Sequence, residues 1–189
     1  NTFLMFEDET YYDLIERITG HNLEDIAYIF RGIPISPNSK IISKSKAKNK
    51  LPIIKGNNIS KFAYSNSFFV DVNKLGGNLS KIEEFKREKI ILQNIFSSEA
   101  GIISCIDEKG NLNFDTVTNI ILRDTSLDLR YIFGLLNSKL INFYLLYVIY
   151  NKSKLTMHTD RVYLGKIPIK KSDKKTQKEI INIVTRINK

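Results

Sequence analysis

A chain of 189 residues with 42% hydrophobic content is long enough to bury a core and too apolar to be disordered, which fits one domain or one domain with a small appendage. The single cysteine, Cys105, excludes an intrachain disulfide and a CxxC zinc site, and suggests a reducing, cytoplasmic setting. The formal charge of +9 is unevenly spread: residues 1–25 carry one basic and seven acidic side chains, 26–70 carry eight basic and none acidic, 71–128 seven basic and ten acidic, and 129–189 thirteen basic and three acidic. Two separated basic segments could build a polyanion-binding face or simply decorate a solvated surface.

The acidic N-terminus is unlike a secretory signal. The chain begins at Asn1, which suggests a piece excised from something larger. Thr10 with Asp13 resembles a capping box and opens a short helix closed by Gly20. LEDIAYIFRGIPI then reads as a turn and a strand stopped by Pro34 and Pro37, with a turn at Ser36 to Asn38. SKSKAKNK, Ser43 to Lys50, could be an extended strand lined with lysines or a mobile loop. LPIIKGNNISKF reads as a strand, a Gly56-Asn57-Asn58 turn using positive φ, and a second short strand.

Further strands are expected at Ser67 to Val72, in KIILQNI and GIISCI, and at Thr116 to Leu122, with a break at Gly76-Gly77 and a turn at Asp107 to Asn111. Ser80 with Glu83 caps a charged helix reaching Arg87. Tyr131 to Tyr150 has the length of a membrane span, but Asn137, Ser138, Lys139 and Asn142 interrupt it. Two buried helices fit better, one capped by Ser126 and the next by Asn137-Ser138, with Ile132, Leu136, Leu140, Phe143 and Tyr147 as a core face. Val162 to Ile169 reads as a strand, and Ser172 or Asp173 caps a last helix with the stripe Ile180, Ile181, Val184 and Ile187. The fold class is α+β, with a mixed or antiparallel sheet and flanking helices.

No Gly-rich phosphate loop, GxSxG elbow or HExxH is present. Glu84-Phe85-Lys86 has the Glu-x-Lys spacing of metal-dependent nucleases but falls in an expected helix, where a solvated charged face is the simpler reading. His158 with Asp160 lacks a nucleophile at a defined spacing, and two histidines in 189 residues argue against a metal cluster. No catalysis, cofactor or metal is therefore expected from this chain alone.

Binding features are stronger. The loop NKSKLTMHTDR offers Lys152, Lys154 and Arg161 to phosphates and Thr156, His158 and Thr159 to bases or backbone, unless it is an ordinary solvated loop. Arg31, Lys40, Lys44, Lys46, Lys48, Lys50, Lys55 and Lys61 supply a salt-sensitive, sequence-independent attraction. Asn57 and Asn58 can pair with adenine if their turn reaches the major groove, or can be a plain tight turn. Tyr64, Phe68, Phe69 and Tyr144 suit a core better than a base stack.

The order of short motifs resembles the C-terminal specificity domain of TaqI-like adenine DNA methyltransferases, including fused restriction–modification enzymes. They are Arg31-Gly32-Ile33, Pro-Ile-Ile-Lys-Gly to the aromatic Phe62, Lys89 to Gln93, LLNSKLINFYL at Leu135 to Leu145, and GKIPI at Gly165 to Ile169. That resemblance implies a target-recognition domain that grips double-stranded DNA and selects its sequence. A separate methyltransferase domain of the same parent chain would bind S-adenosylmethionine and methylate a flipped adenine. No Asn-Pro-Pro-aromatic motif occurs here, as befits a specificity half without its catalytic half. The type I restriction specificity subunit is a second resembling family, with two recognition domains joined by long helices.

The expected organisation is a single recognition domain over 1–189: an acidic N-terminal helical segment at 1–22, a recognition core at 23–169 and a C-terminal helix at 170–189. A protein-interaction module that docks partners through its acidic N-terminal segment and amphipathic last helix is the competing class.

Overall fold

The computed structural model describes residues 10–66, 68–76, 82–153 and 156–187. In chain order its elements are α1 (Thr10–Arg17), β1 (His21–Asn22), α2 (Leu23–Ile26), β2 (Ala27–Arg31), β3 (Ile42–Ser43), β4 (Lys50–Ile54), β5 (Ile59–Ser60), β6 (Ala63–Tyr64) and β7 (Phe68–Asp71). Then come α3 (Ile82–Lys86), β8 (Lys89–Gln93), β9 (Ser104–Asp107), β10 (Leu112–Asn113), β11 (Val117–Leu122), α4 (Leu129–Leu136), α5 (Lys139–Tyr144), α6 (Arg161–Leu164), β12 (Pro168–Ile169) and α7 (Lys174–Ile187).

The apolar run at 89–93 becomes the inner strand of an antiparallel sheet ordered β2-β11-β8-β9. Ile90 and Leu92 face the helices, while Ile91 packs with Cys105, Val117 and Ile54 on the other side. Both faces are covered, so the strand is apolar nearly throughout. Burial pushes the Cys105 thiol up to about 12, with Asp107 adding to the shift, so it stays neutral.

A second sheet, β10-β4-β7-β3, is mixed, because β10 runs parallel to β4 and the other pairs are antiparallel. Its core joins Ile53, Val70, Leu112 and Phe114 to Phe85 of α3. The two sheets meet where β2 runs on into Gly32 and Ile33. There Gly32 N–H donates to Val117 O at 2.9 Å, Ile33 N–H to Asn113 O at 2.7 Å, and Asp115 N–H to Ile33 O at 3.0 Å. The expected α+β class, a mixed or antiparallel sheet with flanking helices, is what the chain adopts, with the strands divided between one antiparallel and one mixed four-stranded sheet.

Asp128 caps α4 by accepting from Arg130 N–H at 2.7 Å. The expected cap, Ser126, instead closes a turn by donating its hydroxyl to Asp124 at 2.6 Å. The break at Asn137-Ser138 is as expected, with Ser138 accepting from Ile141 N–H at 3.1 Å. The segments Leu129–Leu136 and Lys139–Ile149 are bent by 55°, and no single helix among the described residues is long and apolar enough to cross a membrane. That bend divides the expected core face: Ile132 and Leu136 are fully buried, but Leu140 is 43% exposed. Phe143 and Tyr147 stack with Tyr11 of α1.

Residues 162–169 are not one strand. Asp160 accepts from Val162 N–H at 3.2 Å and caps the short helix α6, leaving only Pro168–Ile169 to pair with His21–Asn22. Asp173 caps α7 through Thr176 N–H at 2.8 Å. Val184 of its stripe is buried and Ile187 is 53% exposed. Gly56 to Asn58 is a 3-10 turn without positive φ; the left-handed residue nearby is Phe62. The expected capping boxes at Thr10 and Ser80 involve side chains outside the described residues, as are Ser67, Gly77 and Lys81.

Candidate nucleic-acid interface

Strand ends converge at the seam between the sheets. Arg31 closes β2, Lys55 to Asn57 follow β4, Gln93 ends β8 and leads into Asn94 and Ile95, and Thr116 precedes β11. With His158 these residues line an open cleft of about 450 Å³. Gly56 allows the close approach, since a Cβ there would lie 2.6 Å from Thr116 O, and its N–H donates to Thr116 Oγ1 at 3.0 Å. Among the described residues the lining contains two cations and no carboxylate side chain, so the cleft they form is positive.

The arginine is held in place. Nε and Nη2 of Arg31 donate to the Asp115 carbonyl at 3.0 and 2.7 Å. With the Asn94 amide oxygen turned toward it, the same Nε–Nη2 edge is shared with that oxygen, 3.2 Å from Nε and 2.6 Å from Nη2. Asn94 is itself anchored, its N–H donating to Thr116 O at 3.0 Å.

Of the loop expected to face DNA, residues 157–159 lie as a strap along residues 93–96. Phe96 N–H donates to Met157 O at 2.7 Å and the Tyr150 hydroxyl donates to His158 O at 2.6 Å. Burial pushes the Tyr150 phenol far up, with Asp160 and Tyr163 adding to the shift, so it remains a donor. Nδ1 of His158 donates to Asn94 O at 3.2 Å, which leaves Nε2 for a ligand.

Thr159 corrects the sequence reading. It has no accessible surface and donates its hydroxyl to Gln93 O at 2.6 Å, so it anchors the strap. Thr159→Val leaves that carbonyl unpaired and costs about 1–3 kcal/mol in chemical unfolding, with the salt dependence of DNA binding unchanged.

Arg31, Lys55, Asn57 and His158 thus come together, and the remaining candidates lie elsewhere. Lys44, Lys46 and Lys48 lie between β3 and β4, at the far end of β4 from Lys55 and roughly 15 Å away at about 3.3 Å per residue. Asn58 closes its own turn: its N–H donates to Lys55 O at 2.9 Å and its carbonyl accepts from Ser65 N–H at 2.9 Å. Lys61 lines a second depression of about 350 Å³ with Lys139, Phe143 and Tyr147, and Lys152 Nζ lies 5.0 Å over the Tyr147 ring. Thr156 is exposed at the start of the strap. Arg161 pairs with Glu24 at 3.2 Å on α6, and Lys154 lies outside the described residues.

Gln93, Asn94, Ile95 and Thr116 were not anticipated. Two amides ending an otherwise apolar strand were the available signal. A larger depression of about 570 Å³ carries Glu88, Asp124 and Asp128 beside Arg87 and Arg130, and suits a polyanion less well. Glu84 and Lys86 lie on helix α3, where Lys86 pairs with Glu83 at 2.6 Å and Arg87 with Glu84 at 3.6 Å, so their charges form a surface ladder.

A two-sheet α+β core with a positive cleft at its seam is the architecture in which this chain meets the description of a specificity domain. The chain belongs to the TaqI-like C-terminal specificity domain family, whose model matches residues 51–169. Its fold is similar to that of the HsdS subunit from Thermoanaerobacter tengcongensis, with a TM-score of 0.51 at 12% identity over 88% of this chain and 36% of that one. A chain from a structure of a type I R-M system, described in terms of complex assembly and conformational transition, matches at 15% identity and a TM-score of 0.48, over 88% of this chain and 37% of that one. The chain therefore spans about a third of the length of the solved chains it matches. No curated protein matches it in sequence.

Proposed function

We propose that this chain grips duplex DNA and selects the sequence on which an N6-adenine methyltransferase domain acts, without performing chemistry itself. The observation that carries the reading is the cleft, where Arg31, Lys55, Asn57 and His158 arrive from separate parts of the chain with no carboxylate among the described lining side chains. In this reading residues 23–169 are the recognition core, 1–22 an acidic helical segment and 170–189 a C-terminal helix. S-adenosylmethionine belongs to the methyltransferase, on the same parent chain, and the setting is the cytoplasm. Lys44, Lys46, Lys48, Lys61, Lys152 and Arg161 serve as outlying phosphate contacts, which a duplex can reach because it is longer than the domain, and Lys154 is proposed as a further DNA contact from its sequence alone.

Similarity in fold to an HsdS subunit supports a second arrangement, in which the methyltransferase is a separate subunit recruited by this chain. Co-expression decides between them: stable co-purification with a methyltransferase supplied in trans favours the second.

The direct test is duplex-DNA binding across a salt series. Association should weaken with a slope of about −0.9 per phosphate neutralised, so six contacts lose roughly a thousandfold between 50 and 200 mM salt. Affinity indifferent to salt would overturn the reading.

A further inference from the structure

We infer that Arg31 reads a guanine in the recognised sequence, with Asn94 and the Asp115 carbonyl as the groups that position it. This deepens the DNA-recognition reading and rests on it. Charge pattern alone casts Arg31 as one more phosphate contact, but its hydrogen bonds point elsewhere.

A guanidinium carries five N–H donors in a rigid fork. In Arg31 the Nε and one Nη2 donor are committed to the Asp115 carbonyl, and the amide oxygen of Asn94 meets the same edge. The end-on edge formed by Nη1 and the second Nη2 donor remains, and its two parallel N–H groups match O6 and N7 of guanine in the major groove.

Both positioning groups are neutral, and among the described residues Arg31 makes no ion pair. The full positive charge is kept for a ligand while the side chain is already ordered. Ordering before binding removes an entropic cost and fixes direction. A phosphate contact needs neither, since a lysine on a flexible stem serves as well. The side chain is exposed on the cleft wall, within reach of a base edge.

The test is selection from a pool of randomised duplexes by the 189-residue chain, followed by affinity measurements on the selected site. Wild type should prefer guanine at one position by roughly ten- to a hundredfold. Arg31→Gln should lose that preference or turn it toward adenine, with the other positions held. Arg31→Lys, which keeps the charge, should lose it with the salt slope unchanged. Replacing that guanine by 7-deazaguanine, which lacks the N7 acceptor, should weaken wild type and leave Arg31→Gln indifferent. Asn94→Ala should reduce the guanine preference without altering the salt slope, an outcome that a purely structural role would not produce.

The proposal is overturned if Arg31→Gln weakens all duplexes equally, keeps the sequence preference and makes the salt slope shallower by about one, because Arg31 is then a phosphate contact. Binding by wild type without any sequence preference also overturns it, while leaving DNA binding in place. Failure of wild type to bind any duplex removes the DNA-recognition reading itself, before a substitution is made.

Discussion

Lys89→Met lowers the unfolding free energy by about 3–5 kcal/mol, the cost of stripping one partner from a buried ion pair. Lys89 and Asp107 both have no exposed side-chain surface, and the ammonium lies 2.6 Å from the carboxylate. Lys89 also donates to Phe85 O at 2.6 Å, which ties the first sheet to α3. Asp107 accepts in addition from Asn111 N–H at 2.8 Å, Asn111 Nδ2 at 2.7 Å, Lys109 N–H at 3.0 Å and the Tyr64 hydroxyl at 3.2 Å. Burial pulls the Lys89 ammonium below its usual range and Asp107 opposes that shift, so the charged form depends on its partner. Burial and the Asp107 charge push the Tyr64 phenol up to about 12, so it stays a donor.

Removing the ammonium leaves a carboxylate in a dry site with only neutral donors. Denaturant unfolding should show the midpoint falling without a change in m, and Lys89→Met/Asp107→Asn should recover part of the loss, because the amide needs no counter-charge. A Lys89→Met protein as stable as wild type would mean that water reaches the pair. For a domain whose total stability is of order 5–15 kcal/mol, the expected loss is large enough to lower the yield of folded protein.

How far the sequence led can be judged at individual residues. The break at Asn137-Ser138 was legible because a serine before a helical run signals a cap through local geometry alone. The last cap was legible to within one residue, as Ser172 or Asp173, and Asp173 takes it. Residues 162–169 were not, since Val162, Tyr163 and Ile167 favour strands by composition. The outcome turned on Asp160 capping a helix and on Leu164 becoming fully buried, and burial is a property of the whole fold. Lys89 reads in sequence as a solvated lysine opening a strand, because its partner lies across a hairpin.

The cleft was half legible. Cations and turn residues announced Arg31, Lys55 and Asn57, and the strap was singled out by its basic and hydrogen-bonding side chains. Charge could not separate Arg31 and Lys55, which face the cleft, from Lys44, Lys46 and Lys48 at the other end of a strand. Nor could it show that Thr159 faces a backbone carbonyl. Only the strand registers bring Gln93, Asn94 and Thr116 together at one end of adjacent strands.

Gly32→Ala should damage the fold and the cleft together. A Cβ at Gly32 would lie 2.1 Å from Phe114 O, 2.4 Å from Asn113 O and 2.5 Å from Phe114 C. All three are backbone atoms of the segment that crosses between the sheets, so no side chain can turn aside to admit the methyl. The chain at 113–114 must move, against Ile33 N–H donating to Asn113 O at 2.7 Å and Phe114 N–H donating to Ile54 O at 3.0 Å. Overpacking costs typically 1–3 kcal/mol, and a purely backbone clash places this substitution at about 3 kcal/mol.

Asp115 and Thr116 follow directly in the chain and carry the carbonyl that holds Arg31 and the hydroxyl that accepts from Gly56 N–H. Displacing them frees the guanidinium, so at temperatures where Gly32→Ala remains folded its DNA discrimination falls further than its overall affinity. Thermal unfolding and duplex binding measured on the same preparation separate the two effects. Unaltered stability would show that the seam is compliant. Lost stability with unaltered discrimination would show that the Arg31 geometry does not depend on the crossing segment.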